Sequence, residues 1–212
     1  MRKKVFSLLL ACLCMFFAAC GSNSKKAPEA TDDPQVKEPV IETGRQDGER
    51  FEGVIMLEGM EETVKYEHIK NDTIGFEMDY DYENFVRRSE PNRDCFISCY
   101  DNLQNPVDYL EVKKSAEDAD TVAASVSEVL SKDYEPSMRS FMLDHAGSCI
   151  RIDASAAKGG KVMPDLLQMV YIIPAKDGCR IATAHYSIES AEGFGKRFHN
   201  MMDTFVAVRS SK

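Results

Sequence analysis

The chain has 212 residues, 43% of them apolar, and its 35 acidic and 26 basic side chains give a net charge of −9 at pH 7. That balance argues against nucleic-acid binding and against electrostatic adhesion to anionic lipid, because both need clustered lysine and arginine.

The first element in the chain reads as an export leader. Arg2, Lys3 and Lys4 form a basic start, residues 5–17 run uncharged, and Ala18-Ala19-Cys20-Gly21-Ser22 follows. An uncharged run of that length suits a signal sequence and is short for crossing a bilayer. The pattern resembles the lipobox of bacterial lipoproteins. That resemblance implies a signal peptide over 1–19, cleavage before Cys20, and a diacylglyceryl group on the Cys20 sulfur. An ordinary secretory signal or a short membrane anchor is the alternative. Removing residues 1–19 takes three basic and no acidic residues, which leaves 35 acidic against 23 basic and a net charge of −12. Membrane attachment of such an acidic chain must come from lipid, and two acyl chains give stable anchoring. No second long apolar run follows.

Residues 20–50 read as the lipidated cysteine and a disordered tether. Pro28, Pro34, Pro39, Gly44 and Gly48 stand among charges with little to bury, and such a composition cannot offset the entropy of ordering. About thirty flexible residues reach roughly 30 Å. From 51 to 209 the pattern is that of one globular domain, enough for a single core.

Strand-like runs are predicted over 51–57, 63–69, 74–78, 95–100, 109–113, 141–143 and 149–154, with a turn at Asn71-Asp72. The clearest pair is 168–173 with 179–188, joined by a segment ending Asp177-Gly178, a hairpin signal. Two stretches have helical period. Val122, Val126, Val129 and Leu130 make one apolar stripe between Asp118 and Lys132. Phe194, Phe198, Met201 and Phe205 make another over 191–206, with Ser190 as the expected N-cap. The acidic run Glu77, Asp79, Asp81 and Glu83 lacks the glycine and terminal glutamate of a calcium loop and reads as a solvated loop. Tyr80, Tyr82 and Phe85 beside it are read as a possible recognition patch or as core.

The order of these elements resembles the PsbP-like fold. The resemblance rests on Ile74-Gly75-Phe76-Glu77-Met78 at the opening, a middle helix, the hairpin with Asp177-Gly178 at its tip, and the closing segment from Ser190-Ala191-Glu192 to Met201-Met202-Asp203-Thr204-Phe205. It implies an α+β domain in which an antiparallel sheet is packed by helices in an α/β/α sandwich. It also implies a binding or assembly role on other proteins, with no catalytic set to carry over.

A direct search for chemistry assigns no catalytic, cofactor-binding or metal-binding residue. Cys95, Cys99, Cys149 and Cys179 remain after the leader, as buried free thiols or as disulfide partners. Cys95 and Cys99 lie about 13 Å apart if they share a strand, too far to bridge each other. His68, His145, His185 and His199 fall in different elements. A Cys179/His185 nucleophile–base pair would span about 20 Å of one strand. Ser148 and the serines of 187–190 lack a nucleophile-elbow pattern. Gly159-Gly160-Lys161 lacks the glycine spacing of a phosphate loop and reads as a mobile loop tip. The expected function is a non-enzymatic, membrane-anchored binding or assembly module. It would sit on the extracytoplasmic face of the cell membrane, on the outer leaflet in a Gram-positive cell or the periplasmic side in a Gram-negative one. Its partners would be the membrane, through the diacylglyceryl anchor, and an envelope protein, with no nucleic acid. An extracytoplasmic hydrolase with a dispersed active site is the alternative.

Overall fold

The structure, a computed structural model, describes residues 44–160 and 165–208. The leader, Cys20 and most of the expected tether lie outside the described residues. Strand β1 (Arg50–Leu57) pairs antiparallel with β2 (Met60–Asn71). Their two-residue turn, Glu58-Gly59, has positive φ at both positions, as the twist of a tight hairpin requires. On the far side of β2 lies β3 (Phe76–Asp81), and β11 (Val206–Ala207) pairs with β3 to close a four-stranded sheet. The segment before β1 is bonded to this sheet: Gly48 N–H donates to the His68 carbonyl at 2.8 Å and Lys70 N–H donates to Asp47 Oδ1 at 2.8 Å.

The remaining strands are β4 (Phe85–Glu90), β5 (Arg93–Ser98), β6 (Tyr109–Ser115), β7 (Ser137–Leu143), β8 (Gly147–Ala154), β9 (Leu166–Ala175) and β10 (Gly178–Ser187). They form a seven-stranded sheet in the order β4-β5-β6-β10-β9-β8-β7, and every pair is antiparallel. Helix α1 (Ala119–Leu130) lies against β8 and β9, and helix α2 (Ala191–Asp203) against β10, β3 and β1. The described residues are thus mostly antiparallel sheet with two helices, and the single sheet expected from sequence is two sheets among them.

Alternation explains how the faces of the large sheet divide. Phe96, Leu110, Val112, Ala182, Ala184, Met169 and Tyr171 point to one face. There they join Ile69, Phe76 and Met78 of the small sheet and Phe198, Met201, Met202 and Phe205 in one core. Ile152, Val170, Ile172 and Cys179 point the other way, onto Ala119, Val122, Ala123 and Leu130. Asp118 caps α1, its carboxylate accepting from Thr121 N–H at 2.9 Å. Two details of the expected stripes differ. Val129 is exposed, because the face in contact runs through Ala119 and Ala123 instead. Helix α2 stops at Asp203, and Val206–Ala207 turns into β11.

Several other expectations are corrected. The acidic run is no solvated loop. Glu77, Asp79 and Asp81 lie in strand β3, where Asp79 and Asp81 are buried and Tyr80 is core, and only Glu83 falls in an exposed turn. Phe85 is core as well and Tyr82 packs beside it, so these aromatics form no exposed patch. Strand β4 was not anticipated: its Val86-Arg87-Arg88-Ser89-Glu90 is too charged to read as a strand, and it sits at a sheet edge where one side needs no partner. Residues Lys158–Gly160 make a short 3-10 turn, and Lys161 lies outside the described residues. Ser190 makes no side-chain cap to α2, because its hydroxyl is committed to Asp108 Oδ1 at 2.6 Å.

Candidate functional site

The residues that could carry chemistry are held apart by the fold. His68 is buried and its Nδ1 lies 2.7 Å from Asp79 Oδ1, while Arg45 Nη1 donates to the other Asp79 oxygen at 2.9 Å. Asp81 accepts from Arg197 Nη1 and from Asn84 Nδ2, both at 2.8 Å. These buried carboxylates are therefore neutralised by cations from distant parts of the chain. Asp108 gathers the serines of the β10–α2 turn: Ser187 N–H donates to it at 2.8 Å, and the Ser187 and Ser190 hydroxyls lie 2.8 Å apart. That constellation sets the entry into α2 and contains no histidine. Cys95, Cys99, Cys149 and Cys179 are all free thiols, Cys99 exposed and the other three buried. Among the described residues, no three His, Cys, Asp or Glu side chains converge as a metal-ligand set.

The larger cleft lies on the outer face of the big sheet, beyond the area that α1 covers, and holds about 380 Å³. Cys95, Ile97 and Tyr109 supply its floor, and Pro106, Gln104 and Asn105 one wall. Arg88 and Arg93 stand at its rim. The segment that makes the wall is pinned by Asp101, whose carboxylate accepts the backbone N–H groups of Asn102 at 2.7 Å, of Asp108 at 2.8 Å, and of Val107. Burial opposes the Asp101 charge, and these three donors outweigh it, so the carboxyl sits below its usual range. Turn chemistry of this kind needs no secondary structure to hold a wall in place.

The electrostatics of the floor are those of a neutral surface. Burial, helped by the Glu111 carboxylate, pushes the Cys95 thiol up to about 11. Burial pushes the Tyr109 phenol up and brings the His185 imidazole down to about 4. His185 lies flat on Tyr109, the rings 4.4 Å apart and 17° from parallel. Near neutral pH the floor thus presents a protonated thiol and a protonated phenol, and the His185 imidazole stacked on that phenol is uncharged. A thiol held that high supplies no thiolate for attack. At the rim, Arg93 donates to both Glu90 oxygens at 2.8 and 3.0 Å and to Glu111 at 3.4 Å. The hydrogen bond that Arg93 donates to Glu90 leads the influences that raise the Arg93 pKa.

A second, shallower groove of about 310 Å³ runs between α2 and the large sheet, lined by Arg151, Met169, Tyr186, Lys196 and His199. Gly195 leaves room for the Tyr186 ring, which passes 3.6 Å from where a Cβ would stand. His199 Nδ1 is 3.0 Å from the Tyr171 hydroxyl, and its Nε2 is 3.7 Å from Asp203. Burial lowers the His199 pKa and raises those of Asp203 and Tyr171. The alignment suggests a proton relay, yet its phenol end is fully buried against Phe141 and opens on no substrate. The row is structural.

Of the histidines singled out in the sequence, His68, His185 and His199 therefore lie at three separate places, and His145 leaves its Nδ1 unpaired. Cys179 sits under α1 while His185 stacks on Tyr109, so the two form no pair. Sequence reasoning missed Arg88 and the wall. The usable signal was the Asp101-Asn102 start and Pro106, a run rich in turn formers between two strands.

No family model matches the sequence, and no curated protein matches it. Among solved structures the domain is similar to the solution structure of cyanobacterial PsbP (CyanoP) from Synechocystis sp. PCC 6803. The likeness has 11% sequence identity and a TM-score of 0.47, and it covers 67% of this chain and 92% of that one.

Proposed function

We propose that this protein is a lipid-anchored, extracytoplasmic binding or assembly module of the cell envelope. The observation that carries the anchor is Arg2-Lys3-Lys4, the uncharged residues 5–17 and Ala18-Ala19-Cys20 in succession. In this reading the chain is cut before Cys20, and the diacylglyceryl group on Cys20 holds it at the membrane while the tether spaces the domain from the surface. We assign the domain to the PsbP-like α/β/α group on the order of its elements, from the strand after Ile74-Gly75 to the hairpin with Asp177-Gly178 and the closing helix.

The chemistry of the larger cleft favours binding over catalysis, since its thiol is pushed up to about 11 and its phenol is also pushed up by burial. The hydrolase alternative would need an activated nucleophile beside a base, and no described residues provide one. No helix of the described residues is long and apolar enough to cross a membrane.

Metabolic labelling with a clickable fatty acid tests the anchor. The parent chain is expected to take the label and to sediment with membranes. The Cys20→Ala variant is expected to lose the label and leave the membrane fraction. Label retained by Cys20→Ala would put the lipid elsewhere and overturn the anchor. An envelope protein that cross-links to the parent, and fails to cross-link to a cleft variant that still folds, would support the module.

A further inference from the structure

Arg88 is the unusual group in the larger cleft. One of its N–H groups donates to the Leu103 carbonyl at 2.8 Å, and it makes no ion pair among the described residues. A guanidinium has five N–H donors in a fixed fork, so most of its capacity is unused. Its neighbour Arg93 differs, because Glu90 and Glu111 already balance it. A chain with nine more acidic than basic residues thus leaves one positioned arginine at the rim of a cleft with no close ion pair among the described residues, the Glu90 carboxylate acting on it only through space. The side-chain amides of Gln104 and Asn105, on the wall, also make no hydrogen bond among the described residues. Below them the floor of Cys95, Ile97 and the Tyr109 ring is apolar and uncharged.

A guanidinium with unused donors and no close ion pair, beside amide donors and above an apolar floor, is matched by one carboxylate on an apolar body. Glu90 and Glu111 close by oppose a dianion such as phosphate, and the two arginines oppose a cation. The wall is already fixed by Asp101, so little ordering would be needed on binding. We propose that this cleft binds a carboxylate attached to an aromatic or branched apolar group, with Arg88 as its anchor. The inference rests on the binding-module reading and names the ligand class for it. The same chemistry occurs in a free organic acid and at the C-terminus of a peptide.

The test uses the full-length protein in detergent micelles with isotope-labelled isoleucine methyl groups. Nα-acetyl-phenylalanine, its carboxamide and a tripeptide ending in phenylalanine are titrated in turn. The Ile97 methyl signal is expected to shift and saturate with the acid, and at least about tenfold less readily with the amide. Arg88→Gln is expected to weaken the acid by about tenfold or more. The Ile172 methyl, buried under α1, should stay in place in parent and variant and so reports the fold. Tighter binding of the tripeptide assigns the carboxylate to a protein tail, and tighter binding of the acetylated amino acid assigns it to a free acid; both uphold the site. An unmoved Ile97 signal, equal responses to acid and amide, or unchanged affinity in Arg88→Gln overturns it. The fatty-acid label at Cys20 is read independently, so loss of the cleft's ligand and loss of the anchor give different results.

Discussion

At the scale of single residues, burial suppresses the charge of several titratable groups. His185 shows the consequence. Burial holds its imidazole down to about 4, with Glu111 and Lys113 acting in opposite directions on it, whereas a free histidine titrates near 6.5. Between these two values the unfolded chain binds the extra proton, so the stabilisation from the neutral ring is complete above pH 6.5 and is lost as pH falls towards 4. The full effect is about 3 kcal/mol. His185→Phe would keep a flat ring against Tyr109 and remove the titration. Urea denaturation at pH 7 and at pH 4.5 is expected to show the variant losing about 2 kcal/mol less than the parent between the two. Parallel pH profiles for the two proteins would contradict this account. The histidine could be located in a strand from its sequence, but its environment could not, because Tyr109 reaches it only through the pairing of β6 with β10.

At the scale of elements, what was readable depended on whether an element's own apolar side chains account for its place. The α1 stripe and the β7–β8 pair show the period or alternation of half-buried elements, while β9, buried on both faces, was legible from its unbroken apolar run and the Asp177-Gly178 turn; all appear close to where the pattern puts them. Strand β3 is buried on both faces, and its carboxylates are acceptable only because His68, Arg45 and Arg197 arrive from elsewhere. No local pattern reveals partners that distant, so alternating acids looked like a loop. Edge strand β4 and the two-residue β11 were missed for a related reason: each is held by its neighbours and by few apolar side chains of its own. The Asp177-Gly178 hairpin was legible, but its tight seat was not. Gly178 has φ of 117°, and a Cβ there would stand 2.0 Å from the Ser115 carbonyl oxygen and 2.8 Å from Ala116 Cα. Gly59, in the β1–β2 turn, has φ of 81° with nothing within 4 Å. Gly59→Ala is therefore expected to cost about 1–2 kcal/mol, from the left-handed backbone alone. Gly178→Ala adds displacement of backbone and is expected to cost at least about 3 kcal/mol. Thermal or urea unfolding of the two variants side by side checks the ranking, and equal losses would show that the β6 end yields easily.

At the scale of the whole molecule, α2 belongs to both sheets. The helix lies against β10 of the large sheet and β3 and β1 of the small one. Phe198 packs with Phe85 of the large sheet, Phe205 just beyond the helix stacks on Phe76 of the small one, and all four rings lie in one core. Neither sheet can shed its partner without exposing that helix. Calorimetry is expected to give a single transition, and Phe198→Ala to lower it as one, by about 3–5 kcal/mol. Two resolved transitions would mean that the sheets unfold separately. Fully buried Arg180 carries this coupling into the order of folding. Its Nε donates to the Gly75 carbonyl and its Nη2 to the Val208 carbonyl, both at 2.9 Å, while Nη2 also meets Asp177 at 2.8 Å. Gly75 and Arg180 are 105 positions apart, and Val208 is the last described residue before the C-terminal stretch. A chain emerging from a ribosome can make the hairpins as they appear. It cannot lock them until residues 206–208 are free to return, so it stays pliable for the whole of its passage and sets only when its tail comes home.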